Sequence, residues 1–451
     1  MLDEEQTAVL RSLQASKRRV VLLFKWRYPF FTRLENFEKP ADCGLVGVFS
    51  TAIRPKLFDG FENHFDSIVW FDADFSGVED AYSGDATVKV DELAAIVGEI
   101  VRVVDAQKIR LLDCEEATID VACEVRQKYG IPGPKPGDLD RLRDKSQLKA
   151  ACREGGIPTA RFSIVDFAHA EDVEQVARRV EAEVGGFPAF RKPLNGFGSG
   201  GGGEIADASE LRQFLREYSG RPAKFLVEEL IRSREFWASL VLLENGEWRP
   251  LKVLHCGAHT SRENLDAGQP IPFIAMRFED AERGEFPRIT EFVDLVVQRL
   301  QPPHPHVFCV QGFQLQAGKN EYLFTECGYR LNGARGCGLS YKASGVSQET
   351  AFLLAYMIPD YAATPDPNRK TRAATAWWPS RPGVLKSHSE PSIAHLRGRV
   401  RFSWHSPVGS RLEAASSYNH FVVSAEVEHE EQQVVEQELQ WLMANWKPQI
   451  E

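Results

Sequence analysis

Residues 192 to 203 read Lys-Pro-Leu-Asn-Gly-Phe-Gly-Ser-Gly-Gly-Gly-Gly. Glycine gives up more backbone freedom on folding than any other residue, so such a run needs a reason: close backbone approach, or torsions that side chains forbid. A dinucleotide fingerprint could take Gly196, Gly198 and Gly201 as GxGxxG. It requires a helix that begins inside the motif and meets the pyrophosphate with its N-terminus. Here Gly202-Gly203-Glu204-Ile205 opens a strand-like segment, so the run joins strand to strand. A Walker A loop ends in Gly-Lys-Ser/Thr, and this run does not. Two readings stay open. One is a plain flexible surface loop. The other is a hairpin whose amides, at Gly198, Ser199 and Gly200, fold over a triphosphate, with Lys192 at its base as the fixed cation.

Other segments supply what a triphosphate needs around it. Lys145 stands in Arg143-Asp144-Lys145, ahead of a helix and then Gly155-Gly156-Ile157-Pro158. Val227-Glu228-Glu229-Leu230-Ile231 is strand-like, and Glu235 follows Glu228 by seven residues. Glu326-Cys327-Gly328-Tyr329-Arg330 ends another strand-like run. Singly each has a bland alternative, since a helical Asp-Lys or a Glu-Glu pair is usually a solvated face. Taken together and in this order, over roughly residues 140–345, they resemble the ATP-grasp ligases.

That resemblance implies ATP and Mg²⁺, and it implies roles position by position. Lys145 and Lys192 contact the phosphates as point charges. Glu228 accepts the adenine amino proton, backbone groups of Glu229 and Ile231 read the adenine edge, and Glu235 holds the ribose hydroxyls. Glu326 binds Mg²⁺. Arg330, with Lys192, steadies the transferring phosphoryl group or the acyl-phosphate. Phosphoryl transfer concentrates negative charge, which fixed cations and a metal must meet.

Two positions depart from the family pattern. The usual metal-binding Asn, two residues after the Glu, is Gly328, and Asn332 stands nearby as a substitute. The acidic ligand of the preceding strand is replaced by Gln311, as in carbamoyl-phosphate-synthetase-like members. Gln311, Gln314 and Gln316 also read as plain polar strand residues. Fewer carboxylates weaken Mg²⁺ binding, because hard cations favour charged oxygens.

The layout is similar to the L-amino-acid ligase and carnosine-synthase branch. Leu112 to Gly130 precede Ile131-Pro132-Gly133, Arg330-Leu331-Asn332-Gly333-Ala334 follows the metal strand, and a β-rich tail follows Ala376. The implied reaction joins a small carboxylic acid to an amine, amino acids first among them, with ADP and phosphate as products; a homodimer is left open. Between the adenosine and metal strands, Arg262 and Arg277 are candidate carboxylate clamps, because a guanidinium meets a carboxylate bidentately. Arg335, in the loop after the metal strand, is a third. Surface arginines are the plain alternative for each. His255, His259, His304 and His306 fit no helical ligand pair and read as loop or strand histidines. Two other functions remain in view: a bicarbonate-activating module, and a non-catalytic nucleotide-binding protein, to which Gly328 and Gln311 point.

The elements that must position these residues follow from patterning. Short buried runs at 19–24, 46–50, 67–71 and 109–114 alternate with amphipathic stretches at 91–106 and 115–129, which predicts a parallel sheet covered by helices. Gly130-Ile131-Pro132-Gly133-Pro134-Lys135-Pro136-Gly137 then breaks the pattern. Helices are expected at 145–154, 171–184, 209–218 and 432–445. Strands are expected at 188–193, 224–230, 237–244, 248–255, 307–316, 321–327, 400–404 and 421–427, with a hairpin turn at Ala317-Gly318-Lys319-Asn320. Residues 364–382, rich in proline, read as a linker. The expected fold class is α/β with α+β parts: an N-terminal α/β domain (1–139), an ATP-grasp core (140–360) with a glycine-loop lid (about 158–232), and a C-terminal α+β part (361–451).

Composition sets the frame. The chain has 451 residues, 43% hydrophobic and 26% charged, enough for two or three cored domains. A net charge of −10 argues against a nucleic-acid partner. No apolar run approaches the roughly 20 residues that span a bilayer, and the acidic start lacks a signal-peptide pattern. Eight cysteines without a CxxC pair suit buried thiols in a reducing cytoplasm.

Overall fold

The computed structural model describes residues 2–72, 90–168, 172–194, 201–333, 336–366, 368–417 and 420–451. The first part of the chain runs α1 (Glu4–Ser16), β1 (Arg19–Lys25), β2 (Cys43–Ser50), β3 (Ser67–Phe71), α2 (Val90–Val101), β4 (Ile109–Asp113) and α3 (Ile119–Tyr129). Its four strands form a wholly parallel sheet in the order β3-β2-β1-β4. Every residue of β1 and β2 is buried, which is why both read as continuous apolar runs rather than alternating ones.

Two short helices lead onward, α4 (Asp140–Arg143) and α5 (Lys145–Gly155). Asp144 caps α5 by accepting from the amides of Ser146 (2.8 Å) and Gln147 (3.2 Å). Gly156 ends it with φ +67°, a left-handed cap. Next come β5 (Phe162–Asp166), α6 (Val173–Val184), β6 (Ala189–Pro193), β7 (Gly203–Ile205), α7 (Ala208–Tyr218) and β8 (Lys224–Glu229). They build a separate antiparallel sheet, order β5-β8-β6-β7, with α6 and α7 on one face. β6 and β7 pair as a hairpin (Arg191↔Gly203), so the glycine run does join strand to strand. Residues 195–200, which include Gly198, Ser199 and Gly200, lie outside the described residues, as does Arg335.

The remainder follows as β9 (Arg234–Leu242), β10 (Trp248–His255), α8 (Ser261–Asp266), β11 (Ile271–Met276), α9 (Phe278–Arg283), α10 (Ile289–Leu300), β12 (His306–Gln314), β13 (Tyr322–Gly328), α11 (Gly336–Ser344), α12 (Gln348–Met357), β14 (Arg372–Pro379), β15 (Gly383–Val384), β16 (Arg399–Trp404), β17 (Arg411–Leu412), β18 (Phe421–His429) and α13 (Gln432–Asn445). Eight of these strands make one antiparallel sheet, β13-β12-β9-β10-β11-β14-β18-β16. It therefore runs across the expected boundary at 360/361.

One sequence expectation is overturned here. Residues 372–379, read as part of a linker, form β14, an interior strand between β11 and β18. Its residues Ala373 to Pro379 are all buried, and Pro379 sits at a register shift where the missing amide is tolerated. Among the described residues all eight cysteines are free thiols. No helix of the described residues is long and apolar enough to cross a membrane.

Candidate functional site

Between the smaller antiparallel sheet and the eight-stranded one lies a cleft of about 1170 Å³, open mouth included. The small sheet contributes Phe190, Lys192 and Glu228 to its wall. The large sheet contributes Glu235, Phe313 and Glu326. Lys145, at the start of α5, closes one end, and α8 brings Arg262. The chain entering the small sheet is tied to the large one: the Phe324 amide donates to the Pro158 carbonyl at 2.7 Å. The Gly-Ile-Pro segment thus hinges the two walls.

The cations and carboxylates of the cleft are interlocked. Lys192 Nζ donates to Glu228 Oε1 at 2.7 Å. Lys149 Nζ lies 3.0 Å from Glu228 Oε2, an ion contact without hydrogen-bond alignment, and donates to Thr159 Oγ1 at 2.7 Å. Burial alone pushes the Glu228 carboxyl up, but Lys149 and Lys192 together hold it down at about 2. Burial pulls the Lys192 ammonium down, and Glu228 and Glu326 more than restore it. Lys145 donates to the Leu194 carbonyl at 3.1 Å, and burial lowers its ammonium. Lys145 and Lys192 line the cleft, and the buried Lys149 supports Glu228 from behind them.

Glu235 is placed by α8. The Ser261 amide (2.8 Å) and hydroxyl (2.6 Å) both donate to Glu235 Oε2. A capping box between Thr260 and Glu263 fixes the start of that helix. Burial pushes the Glu235 carboxyl up to about 7 despite the two serine bonds, and Glu326 adds to the rise. Between 4.5 and about 7 the folded state therefore holds a proton that the unfolded state has lost. Stability falls as pH rises through that window. The melting temperature of the nucleotide-free protein should decline from about pH 5 to about pH 7, and Glu235→Gln should flatten the decline. Melts across that range check it; an unaltered slope in the variant would place the titration on another group.

Gln311 and Glu326 face each other across the β12–β13 ladder, and Trp237 lies opposite Gln311 on β9. Trp237 Nε1 donates to Gln311 Oε1 at 3.0 Å. Just beyond, the register slips, leaving Thr325 as the extra residue of a bulge opposite Gly312. A side chain at 312 would overlap the Leu323 carbonyl and meet the Phe236 ring at 2.9 Å, so only glycine fits. The bulge turns the end of β13, and Glu326 with it, toward the cleft.

Several expectations need correction. Asn332 does not reach toward Glu326 as a substitute ligand. It is buried, its Oδ1 accepts from Ser239 Oγ (2.9 Å) and Gln348 Nε2 (2.6 Å), and its Nδ2 contacts Cys309 Sγ at 3.4 Å. Its role is in that polar cluster beneath α11. Arg277 does not line the cleft either: its guanidinium binds Asp280 bidentately (2.7 and 2.9 Å), and Arg372 joins from β14 at 3.1 Å. That cluster pins α9 to the sheet. Arg262 does line the cleft, with its guanidinium paired to Asp266 at 2.7 Å. Glu229 and Ile231 line it at the small-sheet end.

Arg330 is held by a residue that sequence reasoning missed. Its Nε donates to Glu116 Oε2 at 3.0 Å, and Arg143 Nε donates to Glu116 Oε1 at 3.2 Å. The two guanidinium groups hold the Glu116 carboxyl below its usual value against the effect of burial. Nothing local marks Glu116, since its partners are 27 and 214 residues away. Lys149 was also missed, though it stands one helical turn after Lys145, a spacing that places both on one face of α5.

No family model matches the chain. It is 33% identical to D-alanine–D-alanine ligase of Thermoanaerobacter sp. (strain X514) over 104 residues, which are 23% of this chain and 28% of the ligase. The match thus spans little more than a quarter of that relative. Among solved structures, L-amino acid ligase from Bacillus licheniformis superposes with a TM-score of 0.64 at 13% identity, covering 96% of this chain and 99% of that one. The biotin carboxylase domain of Hydrogenobacter thermophilus 2-oxoglutarate carboxylase, solved with MgADP, ADP and bicarbonate, gives 0.60 at 14% identity, covering 96% and 91%.

Proposed function

We infer that this chain, which has the ATP-grasp fold, is an ATP-dependent ligase joining a carboxylic acid to an amine through an acyl-phosphate. The observation that carries the reading is the cleft itself: Lys145 from α5, Lys192 and Glu228 from the small sheet, and Glu235 and Glu326 from the large sheet line one cavity. A cleft lined by lysines and carboxylates together with the apolar Phe313, Leu323 and Ile231 fits a nucleoside triphosphate.

In this reading the two lysines hold the phosphates, Glu235 takes the ribose hydroxyls, and Glu228 with the Glu229–Ile231 backbone takes the adenine. Through the Lys192–Glu228 bond, one carboxylate orients both the base and the phosphate-binding lysine. Glu326, with Gln311 opposite, offers the oxygen ligands for Mg²⁺, which supplies charge neutralisation between the phosphates when bound. The substrate carboxylate attacks the γ-phosphorus and ADP leaves. Arg330, held in place by Glu116, steadies the acyl-phosphate while the amine displaces phosphate from its carbonyl carbon. Arg262 and Arg335 remain candidates for substrate carboxylates. Small acids and amines, amino acids first among them, are the proposed substrates, and the cytoplasm the proposed compartment.

The test is ADP release with amino acids supplied pairwise from pools. Release that needs both an acid and an amine is the expected result. Release driven by bicarbonate without an amine would favour a bicarbonate-activating enzyme. No release with any pair, despite tight ATP binding, would favour a non-catalytic nucleotide-binding protein.

A further inference from the structure

His255 ends β10 opposite Phe236. Neighbouring Glu235 lines the cleft, so strand alternation puts His255 on the other face of the sheet, behind the nucleotide site. The imidazole is 2% exposed and tilted against Phe286 with ring centres 5.6 Å apart. Its Nδ1 accepts from the Gly257 amide at 3.2 Å, while Nε2 has no hydrogen-bond partner among the described residues. That nitrogen is aimed at two carboxylates. Glu285 Oε2 lies 3.9 Å away, and Glu436 reaches in from α13; the three donor atoms lie within 4.8 Å of one another.

The charges do not close. Arg234 pairs with Glu285. Glu436 has only the Gln432 amide, at 2.7 Å, and no ion pair among the described residues. Burial and the neighbouring Glu285 push its carboxyl up more than the Gln432 bond and the more distant Arg234 pull it down. Burial and Arg234 hold the imidazole down at about 3, so His255 is neutral and cannot supply the missing positive charge. A neutral imidazole beside two carboxylates, one of them outside any ion pair among the described residues, becomes the donor set of a divalent metal once its ring proton moves from Nε2 to Nδ1.

We propose that His255, Glu285 and Glu436 form a Zn²⁺-type site that fastens the C-terminal helix to the back of the strand bearing Glu235. One imidazole and two carboxylates suit a borderline cation; Mg²⁺ prefers oxygen alone and keeps its waters. Tetrahedral zinc, with ligands at about 2.0–2.2 Å, needs donor atoms roughly 3.4 Å apart. The two flexible glutamates must therefore draw inward on binding. Coordination through Nε2 also places the ring proton on Nδ1, so the Gly257 contact opens. The three residues are 30 and 151 positions apart, which is why no local spacing reveals them.

The test uses the full chain, stripped with a chelator and titrated with Co²⁺ and Zn²⁺. Expected are one saturable Co²⁺ equivalent with visible d–d bands, its displacement by Zn²⁺, and a Zn²⁺-dependent rise in melting temperature. Glu436→Gln is nearly isosteric on a helix, so it keeps the fold. It should weaken binding at least ~10-fold, since even outer-shell changes cost 10- to 100-fold. His255→Gln should do the same. A thiolate-to-cobalt charge-transfer band would put the metal on a cysteine and overturn the site. So would unchanged affinity in Glu436→Gln, or no saturable binding.

Discussion

Glu228→Gln should destabilise the nucleotide-free protein by about 3–5 kcal/mol, the usual consequence of removing one member of a buried ion network. Glu228 faces two lysines at 2.7 and 3.0 Å, and both it and Lys149 are almost wholly inaccessible. The amide keeps the shape but removes, among the described residues, the only negative charge against either side chain at ion-pair distance. Lys149, whose ammonium burial already lowers, then loses its proton more readily when folded than when unfolded. A base whose folded value is depressed makes stability rise with pH between its folded and unfolded values. The deficit of the variant should therefore shrink as pH approaches about 10. Adding Lys149→Met to Glu228→Gln should recover part of the loss, because it removes one of the stranded charges. Urea melts of the parent, both singles and the double measure the coupling. Additive single effects would mean that Glu228 and Lys149 are neighbours without being energetically linked.

How much of this was legible in the sequence follows the distance over which each signal acts. The glycine hairpin and the Gly318 turn rest on contacts within a few residues, and patterning finds them. The N-terminal strands are legible because burial on both faces makes them uninterrupted apolar runs. β14 was not, because Ala373 to Ala376 carry little strand signal and the prolines around them imitate a linker. Its strand state comes from β11 and β18 on either side, some 100 residues upstream and 50 downstream. The same division runs through the site. Lys192, Glu228, Glu235 and Glu326 sit in segments with recognisable order. Glu116, which holds Arg330, and Asp280, which holds Arg277, become visible only when the chain is folded. Asn332 was drawn toward the metal by proximity in sequence, whereas its partners Ser239 and Gln348 come from β9 and α12.

Glu326→Gln should reduce turnover on the order of 10³-fold, since metal assistance in such reactions is worth several kcal/mol. Among the candidate ligands it is the one carboxylate, and its ladder partner is the neutral Gln311. Mg²⁺ prefers charged oxygens and tolerates departures from octahedral geometry poorly, so an amide in that place is a weak replacement. The reciprocal change, Gln311→Glu, tests the same geometry from the other strand. It is nearly isosteric, and a carboxylate can still accept the Trp237 indole N–H that now binds Oε1 at 3.0 Å, so folding should survive. It sets a second carboxylate beside Glu326, which should shift the Mg²⁺ dependence of ADP release to lower concentration and slow product release. A purely structural glutamine at that strand position would leave the Mg²⁺ curve where it was. Titrating ADP release with Mg²⁺ for the parent and both variants distinguishes these outcomes. Three superimposable curves would mean that the metal is held by other strands than β12 and β13.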